Sequence, residues 1–420
     1  MNLRAARGAA AILLLAGSFH ASASAQVVTM YSDPTVATAA IELWYRVPSA
    51  GYDLKSPGIA RLALAAVAAS KPAGGSSISE IVNRLGGSLS LEVYPDIAMI
   101  GASVPAASAA SVLRAMTGAY FNATITSAGM KAAAQDSAIV AAQQPFDSAR
   151  TLQDALFAQL FSQGPAHYAP VPDAAEFAKI AQSDAQAFAA RAFGRGNAIV
   201  SLAGNVDSSL ESSFAAGTAG AIDQPYDSAL GSPAPEISVS ARAAGLGVAW
   251  AGPRITDTRA ATAMDFVADY LFDPDHGTLP QTLGDRSDVF VSGQFITLHD
   301  PGVLLVAISG ETAAGLQQNV LDAVTAMQQP LAAATFARAQ KAFVYHILNQ
   351  IQTPVERADN AGWYAAEGNA QYAPGDASGS YLATAGTLDP QFVAQVVRRY
   401  LQHPVIVRVI QSTPGAGSAT

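Results

Sequence analysis

SLSLEVYPDIAMIGASVP, Ser88 to Pro105, alternates apolar and small residues on either side of Tyr94-Pro95-Asp96. Such alternation around a Pro-Asp turn predicts two antiparallel strands meeting in a hairpin. The same shape is written again in FVSGQFITLHDPGVLLVAISG, Phe290 to Gly310, with an Asp-Pro turn at its centre. Working outward from each hairpin, the two halves of the chain continue to match. SISEIVNRLGG, Ser77 to Gly87, precedes the first hairpin and reads as a helix, with a Ser cap, an early acid and terminal glycines. Further upstream, AAIELWYRV (Ala39 to Val47) predicts a strand and Gly58 to Ser70 a helix. In the second half, LGVAWA (Leu246 to Ala251) is the strand, with Trp250 expected in the place of Trp44 and Pro253 echoing Pro48. Its helix runs from Asp257 to Phe272, with Met264, Val267 and Leu271 at helical spacing. Helices are expected after both hairpins, at Ala107 to Phe121 and Ala313 to Met327. A strand closes each half, Ala198 to Ala203 and Val405 to Ile410.

Between the halves, QPYDSALGSPAPE (Gln224 to Glu236) has three prolines and no periodicity, and reads as a linker. The predicted fold class is α+β: two tandem homologous domains, 27–223 and 237–412, each an antiparallel-rich sheet with helices packed on one face, followed by a flexible tail, 413–420.

Bulk composition narrows the function. Half of the 420 residues are hydrophobic and only 13% are charged, enough apolar material for two large cores and too much for a disordered chain. With a net charge of −9 and no Lys/Arg blocks, nucleic acid and anionic lipid are poor partners. The lack of cysteine removes disulfides, thiolate nucleophiles and Cys-ligated metals together. Arg4 and Arg7, the apolar run Ala9 to Gly17, and Ala23-Ser24-Ala25 before Gln26 have the three parts of a secretory signal peptide, residues 1–25. The apolar run falls well short of the roughly 20 residues that span a bilayer. The expected location is therefore outside the cytoplasm, in a periplasm or the extracellular space, with no membrane span. No G-x-S-x-G elbow, S-x-x-K, P-loop or G-x-G-x-x-G is present.

In the order strand, turn, GIARLALAAV helix, LGG, hairpin, the chain resembles the pitrilysin/insulinase zinc peptidases. AHYAPVPDAAEFAKIAQSDAQAFAARAF (Ala166 to Phe193) and NAIVSLAGNVD (Asn197 to Asp207) strengthen the resemblance, which extends from Val27 to about Ser412. It implies paired α+β domains and a helix reading G-L-A-H-x-x-E-H, in which two imidazoles one turn apart hold zinc and the Glu between them activates water. Aligned on Gly58-Ile59-Ala60, those three positions are Arg61, Leu64 and Ala65. A guanidinium stays protonated and cannot ligate, and hydrocarbon side chains have no lone pair. No metal and no cofactor are therefore expected, and no catalytic residue is assigned.

The resemblance places the third zinc ligand near Asp136 or Ser137. It places a substrate-holding Arg at Leu283 or Gly284, with Arg286 out of frame, and the accompanying Tyr at Phe290 or Val291. His167 is read as structural, and His276, in the Asp273-Pro274-Asp275-His276-Gly277 stretch, as a loop histidine. Arg61 is read as surface-directed, with pairing to Asp136 as the alternative. The expected function is that of a non-catalytic subunit, partnering a zinc-bearing peptidase of the same family to close a peptide chamber. The rivals are a stand-alone binder of peptides or unfolded polypeptide, and an enzyme with an unrelated site, around His276.

Overall fold

The computed structural model of the chain describes residues 28–210, 223–232, 236–241, 244–284, 286–374 and 379–411. The expected signal peptide and tail lie outside the described residues. The first half runs β1 (Val28–Ser32), β2 (Thr38–Arg46), α1 (Ile59–Ala69), α2 (Ile78–Arg84), β3 (Ser88–Val93), β4 (Ile97–Pro105), α3 (Ala109–Tyr120), α4 (Ser127–Gln143), α5 (Ser148–Leu160), β5 (Phe161–Gln163), α6 (Ala174–Phe177), α7 (Gln182–Ala192) and β6 (Ala198–Gly204). Within the linker, β7 (Ala229–Leu230) pairs with β5. The second half runs β8 (Ile237–Ala241), β9 (Gly245–Ala251), α8 (Thr258–Phe272), α9 (Thr278–Leu283), β10 (Phe290–Ile296), β11 (Val303–Ser309), α10 (Gln317–Ala326), α11 (Ala333–Asn349), α12 (Pro354–Ala366), α13 (Ser380–Gly386), α14 (Pro390–Tyr400) and β12 (Val405–Gln411).

The repeat is exact at the level of topology. One sheet has the order β3-β4-β2-β6-β1 and the other β10-β11-β9-β12-β8. In each, the outermost strand (β1 or β8) joins its neighbour in parallel and all other pairs are antiparallel. Both expected hairpins form, Ser88 opposite Ser103 and Phe290 opposite Ser309. The expected Ser cap forms a capping box, in which Ser77 Oγ accepts from the Glu80 N–H while Glu80 accepts from the Ser77 N–H.

Each sheet buries one face under helices of its own half. Ile41, Leu43 and Tyr45 on β2 point into the first helical layer, as do Leu246, Val248 and Trp250 on β9 in the second. The expected equivalence of Trp44 and Trp250 is thereby corrected. Trp44 lies on the opposite face of its sheet, and Tyr45 holds the position that Trp250 holds in the other half. A shift of one residue along a strand reverses the face, because side chains alternate.

The second face of each sheet is covered by a helix from the other half. Leu152, Leu156 and Phe157 of α5 pack on Ala249, Leu305 and Val407 of the second sheet. Reciprocally, α12 lays Ala358, Ala365 and Ala366 against Ala40, Trp44 and Ile199 of the first. The two halves thus exchange their fifth helices, so that each sheet is completed only when both are present.

Candidate functional site

Helix α1 begins after Gly58, whose φ of 82° is left-handed and favours glycine. A Cβ there would also stand 2.5 Å from the Phe177 ring and 2.8 Å from Pro172, so the glycine lets the segment before α6 close over the helix start. Along α1 nearly every side chain is buried, which marks a core helix enclosed on all sides.

On this helix Arg61, Leu64 and Ala65 share one face. Leu64 is fully buried and its carbonyl accepts the Tyr120 hydroxyl at 2.9 Å; Ala65 is buried beside it. The Arg61 side chain is only 13% exposed, and Nη2 donates to Asp136 Oδ2 on α4 at 3.3 Å. Pairing with Asp136, the alternative reading, is therefore what the structure contains. The guanidinium is packed against the helix pair rather than directed into solvent. Arg61 Nε is buried without a hydrogen-bond partner among the described residues. Asp136 is 59% exposed, so the pair contributes no more than about 1 kcal/mol. Ser137, one residue on, is fully buried with its hydroxyl unpartnered among the described residues. Chemically the face offers one cation and two hydrocarbons. It has nothing that could bind a metal or take a proton from water.

The corresponding positions of the second half are equally without chemistry. Phe290, at the start of edge strand β10, is 68% exposed. Val291 is half-buried, Leu283 ends α9, and Gly284 turns the chain with φ 68°. Arg286 donates from Nε and Nη2 to both oxygens of Asp288, each at 2.7 Å, and from Nη2 to Thr312 at 2.8 Å. Those bonds hold the Asp288 carboxyl well below the usual range and commit Arg286 to a local brace. His167 is structural, as expected: Nδ1 lies 2.7 Å from the Phe161 carbonyl and 3.1 Å from that of Ala158. His276 is exposed, and Asp273 accepts the backbone N–H of both Asp275 and His276, at 2.9 and 2.7 Å, closing a turn. The structure does not bring His276 together with a second ligand. Among the described residues no group of three His, Cys, Asp or Glu is arranged to hold a metal ion.

Two features escaped sequence reasoning. The first is a buried carboxylate cluster where the halves meet. Asp96 and Asp300 occupy the turns of the two equivalent hairpins, and Glu367 caps the end of α12. Arg46 donates to the carbonyls of Ala365, Ala366 and Asp223, at 2.8, 2.6 and 3.0 Å, beside them. Glu367 accepts the His299 N–H at 2.5 Å and Asp300 the Ser228 N–H at 2.7 Å. Burial, aided by repulsion from neighbouring carboxylates, pushes Asp96 up to about 7 and raises Glu367; Asp300 is raised by burial and by Asp227. An acid in both hairpin turns was the only signal available. The second feature is a cavity of about 660 Å³ in the second half, lined by Asp265, Asp269, His346, Trp363 and Tyr381 among others.

No protein-family model matches the chain, and no curated protein matches it. Solved structures do. The inactive domain of an M16 peptidase from Pseudomonas fluorescens superposes with TM-score 0.73 at 17% identity, covering 92% of this chain and 97% of that one. A protease from Helicobacter pylori gives TM-score 0.76 at 16% identity, over 92% and 99%. An M16-like peptidase from Alicyclobacillus acidocaldarius gives 0.74 at 15%, over 92% and 96%. At these identities the likeness establishes the architecture: the chain folds as the two-domain unit of M16 peptidases and their inactive relatives.

Proposed function

We propose that the chain is a catalytically inactive homologue of the pitrilysin-type zinc peptidases. In this reading it is exported and serves as the non-catalytic, chamber-forming partner of a zinc-bearing peptidase of the same fold. One observation carries the proposal. The two-domain fold is intact from β1 to β12, yet the helix face that would make zinc hydroxide presents Arg61, Leu64 and Ala65. A fold kept whole after its chemistry is gone retains value through its surfaces. The similarity to an M16 domain described as inactive supports the non-catalytic reading. The leader-like pattern with Arg4 and Arg7 supports export.

The test is co-expression with a zinc-bearing peptidase of similar length from a neighbouring reading frame, followed by size exclusion. The reading expects one peak containing both chains, with partner activity raised by complex formation. Two separately eluting chains with unchanged partner activity overturn it. A stand-alone peptide binder is the second reading, favoured by the cavity on α8 and α11; it expects peptide affinity from this chain alone.

A further inference from the structure

Helices α1 and α4 carry the Arg61–Asp136 pair; their counterparts in the repeat, α8 and α11, are joined by a hydrogen-bonded pair too, with the acid on the first helix of the two. Asp269 of α8 lies 2.8 Å from His346 Nδ1 of α11. Asp265, Asp269 and Asp273 follow one another at intervals of four and form a single stripe on α8. All three line the cavity of about 660 Å³, a size suited to a small ligand or a few side chains. Asp273 is used by the turn at His276, so Asp265 and Asp269 set the charge within. The Tyr381 hydroxyl donates to Asp265 at 2.6 Å. Among the described residues, no Lys or Arg lines the cavity.

Part of the lining is aromatic. Trp363 and Tyr94 meet edge to face at 4.8 Å between ring centres, and Phe295 lies alongside them in the lining. Carboxylates and aromatic rings lining one cavity are complementary to a guanidinium, which forms ion pairs at its edge and stacks through its face. Burial, with a smaller contribution from the neighbouring Asp269, raises the Asp265 carboxyl to about 7. The cavity opens beside exposed Pro274 and Gln350. Next to it, sharing Phe272, Pro274 and Gly293 as a wall, is a second cavity of about 480 Å³ lined by Leu279, Leu283, Val289 and Val291. Arg286 at that cavity's edge is already paired with Asp288.

We propose that the cavity on α8 and α11 binds a basic side chain of a peptide, the guanidinium held by Asp265 and Asp269 against the aromatic wall, while the adjoining cavity takes a neighbouring apolar side chain. The assignment rests on the reading of this chain as a peptide-binding homologue, and names the peptide it selects: one with a basic residue beside an apolar one.

The experiment is calorimetric titration of the full chain with acetyl-Leu-Leu-Arg-Leu-amide and with the same peptide carrying citrulline, which keeps the shape and loses the charge. The arginine peptide is expected to bind at least about tenfold more tightly, a difference of about 1.4 kcal/mol. Asp269→Asn and Asp265→Asn should each erase most of that preference, whereas Asp136→Asn, on the first half, should leave it unchanged. The comparison of the two peptides on the unmutated chain stands even where a variant folds poorly. Equal affinity for both peptides, unaffected by the substitutions, overturns the cavity assignment and leaves peptide binding intact. Binding of neither peptide at millimolar concentration also overturns it, while docking to a zinc-bearing partner is read separately by co-elution.

Discussion

Gly362 of α12 sits directly on the indole of Trp44: a Cβ at position 362 would stand 2.0 Å from Trp44 Nε1. That indole N–H donates to the buried carboxyl of Glu42 at 2.9 Å, and the ring stacks near Tyr94 and meets Trp363 edge-on. The contact belongs to the helix exchange that joins the halves. It is mirrored at Gly247 of β9, where a Cβ would lie 2.8 Å from Leu156 of α5.

Gly362→Ala therefore forces two packed surfaces apart. The expected loss is about 1–3 kcal/mol, the usual cost of overpacking a core. Denaturant unfolding checks it. An unchanged midpoint would mean that α12 does not bear on Trp44 as described.

Acid should stabilise the protein between about pH 4 and pH 7. Asp96 and Asp359 are pushed up to about 7 and about 6, and Glu42 and Glu367 are raised as well, all mainly by burial at the junction of the halves. A carboxyl whose folded pKa is raised binds more protons in the folded state. Its stabilising effect is complete below the unfolded value, near 4, and is lost as pH rises to the folded value. Asp288, whose carboxyl is held well below the usual range, titrates below this window and does not offset it. Unfolding midpoints are expected to be higher at pH 5.5 than at pH 8, and Glu367→Gln should narrow the difference. A midpoint that rises steadily from pH 5.5 to 8 contradicts the assignment.

Restoring the three ligand-type residues tests whether the helix frame is otherwise intact. In the variant Arg61→His, Leu64→Glu, Ala65→His, a carboxyl replaces a fully buried Leu64, so the metal-free form should be several kcal/mol less stable. Zinc at a hundredfold its Kd would return about 2.7 kcal/mol. Thermal unfolding with and without zinc reads this; the prediction is a zinc-dependent rise in Tm absent from the unmodified chain.

Much of this architecture was legible because it is local. Hairpins at Ser88–Pro105 and Phe290–Gly310, the Ser77 cap and the Gly58 helix start are each written in one short continuous stretch. The chemistry of Arg61, Leu64 and Ala65, at the positions where the resemblance expects zinc ligands, was legible too, since excluding ligation needs only residue type. What the sequence hides is long-range. Strands β1 and β8 are five residues each and take their places only by pairing with β6 and β12, near the far end of each half. The apolar faces of α5 and α12 show that both helices are buried, not which sheet covers them. Trp44 and Tyr45 are adjacent aromatics, and only strand register decides which one faces the helices. The acidic stripe Asp265, Asp269, Asp273 resembles a solvated face until α11 and α12 are packed beside it.

The most direct test of the account is the metal content and peptidase activity of the purified chain without a partner. Elemental analysis should find far less than one zinc per molecule, and no cleavage of a mixed peptide library beyond that of a buffer control. One zinc per chain, together with peptide hydrolysis by this chain alone, would contradict the account at its centre.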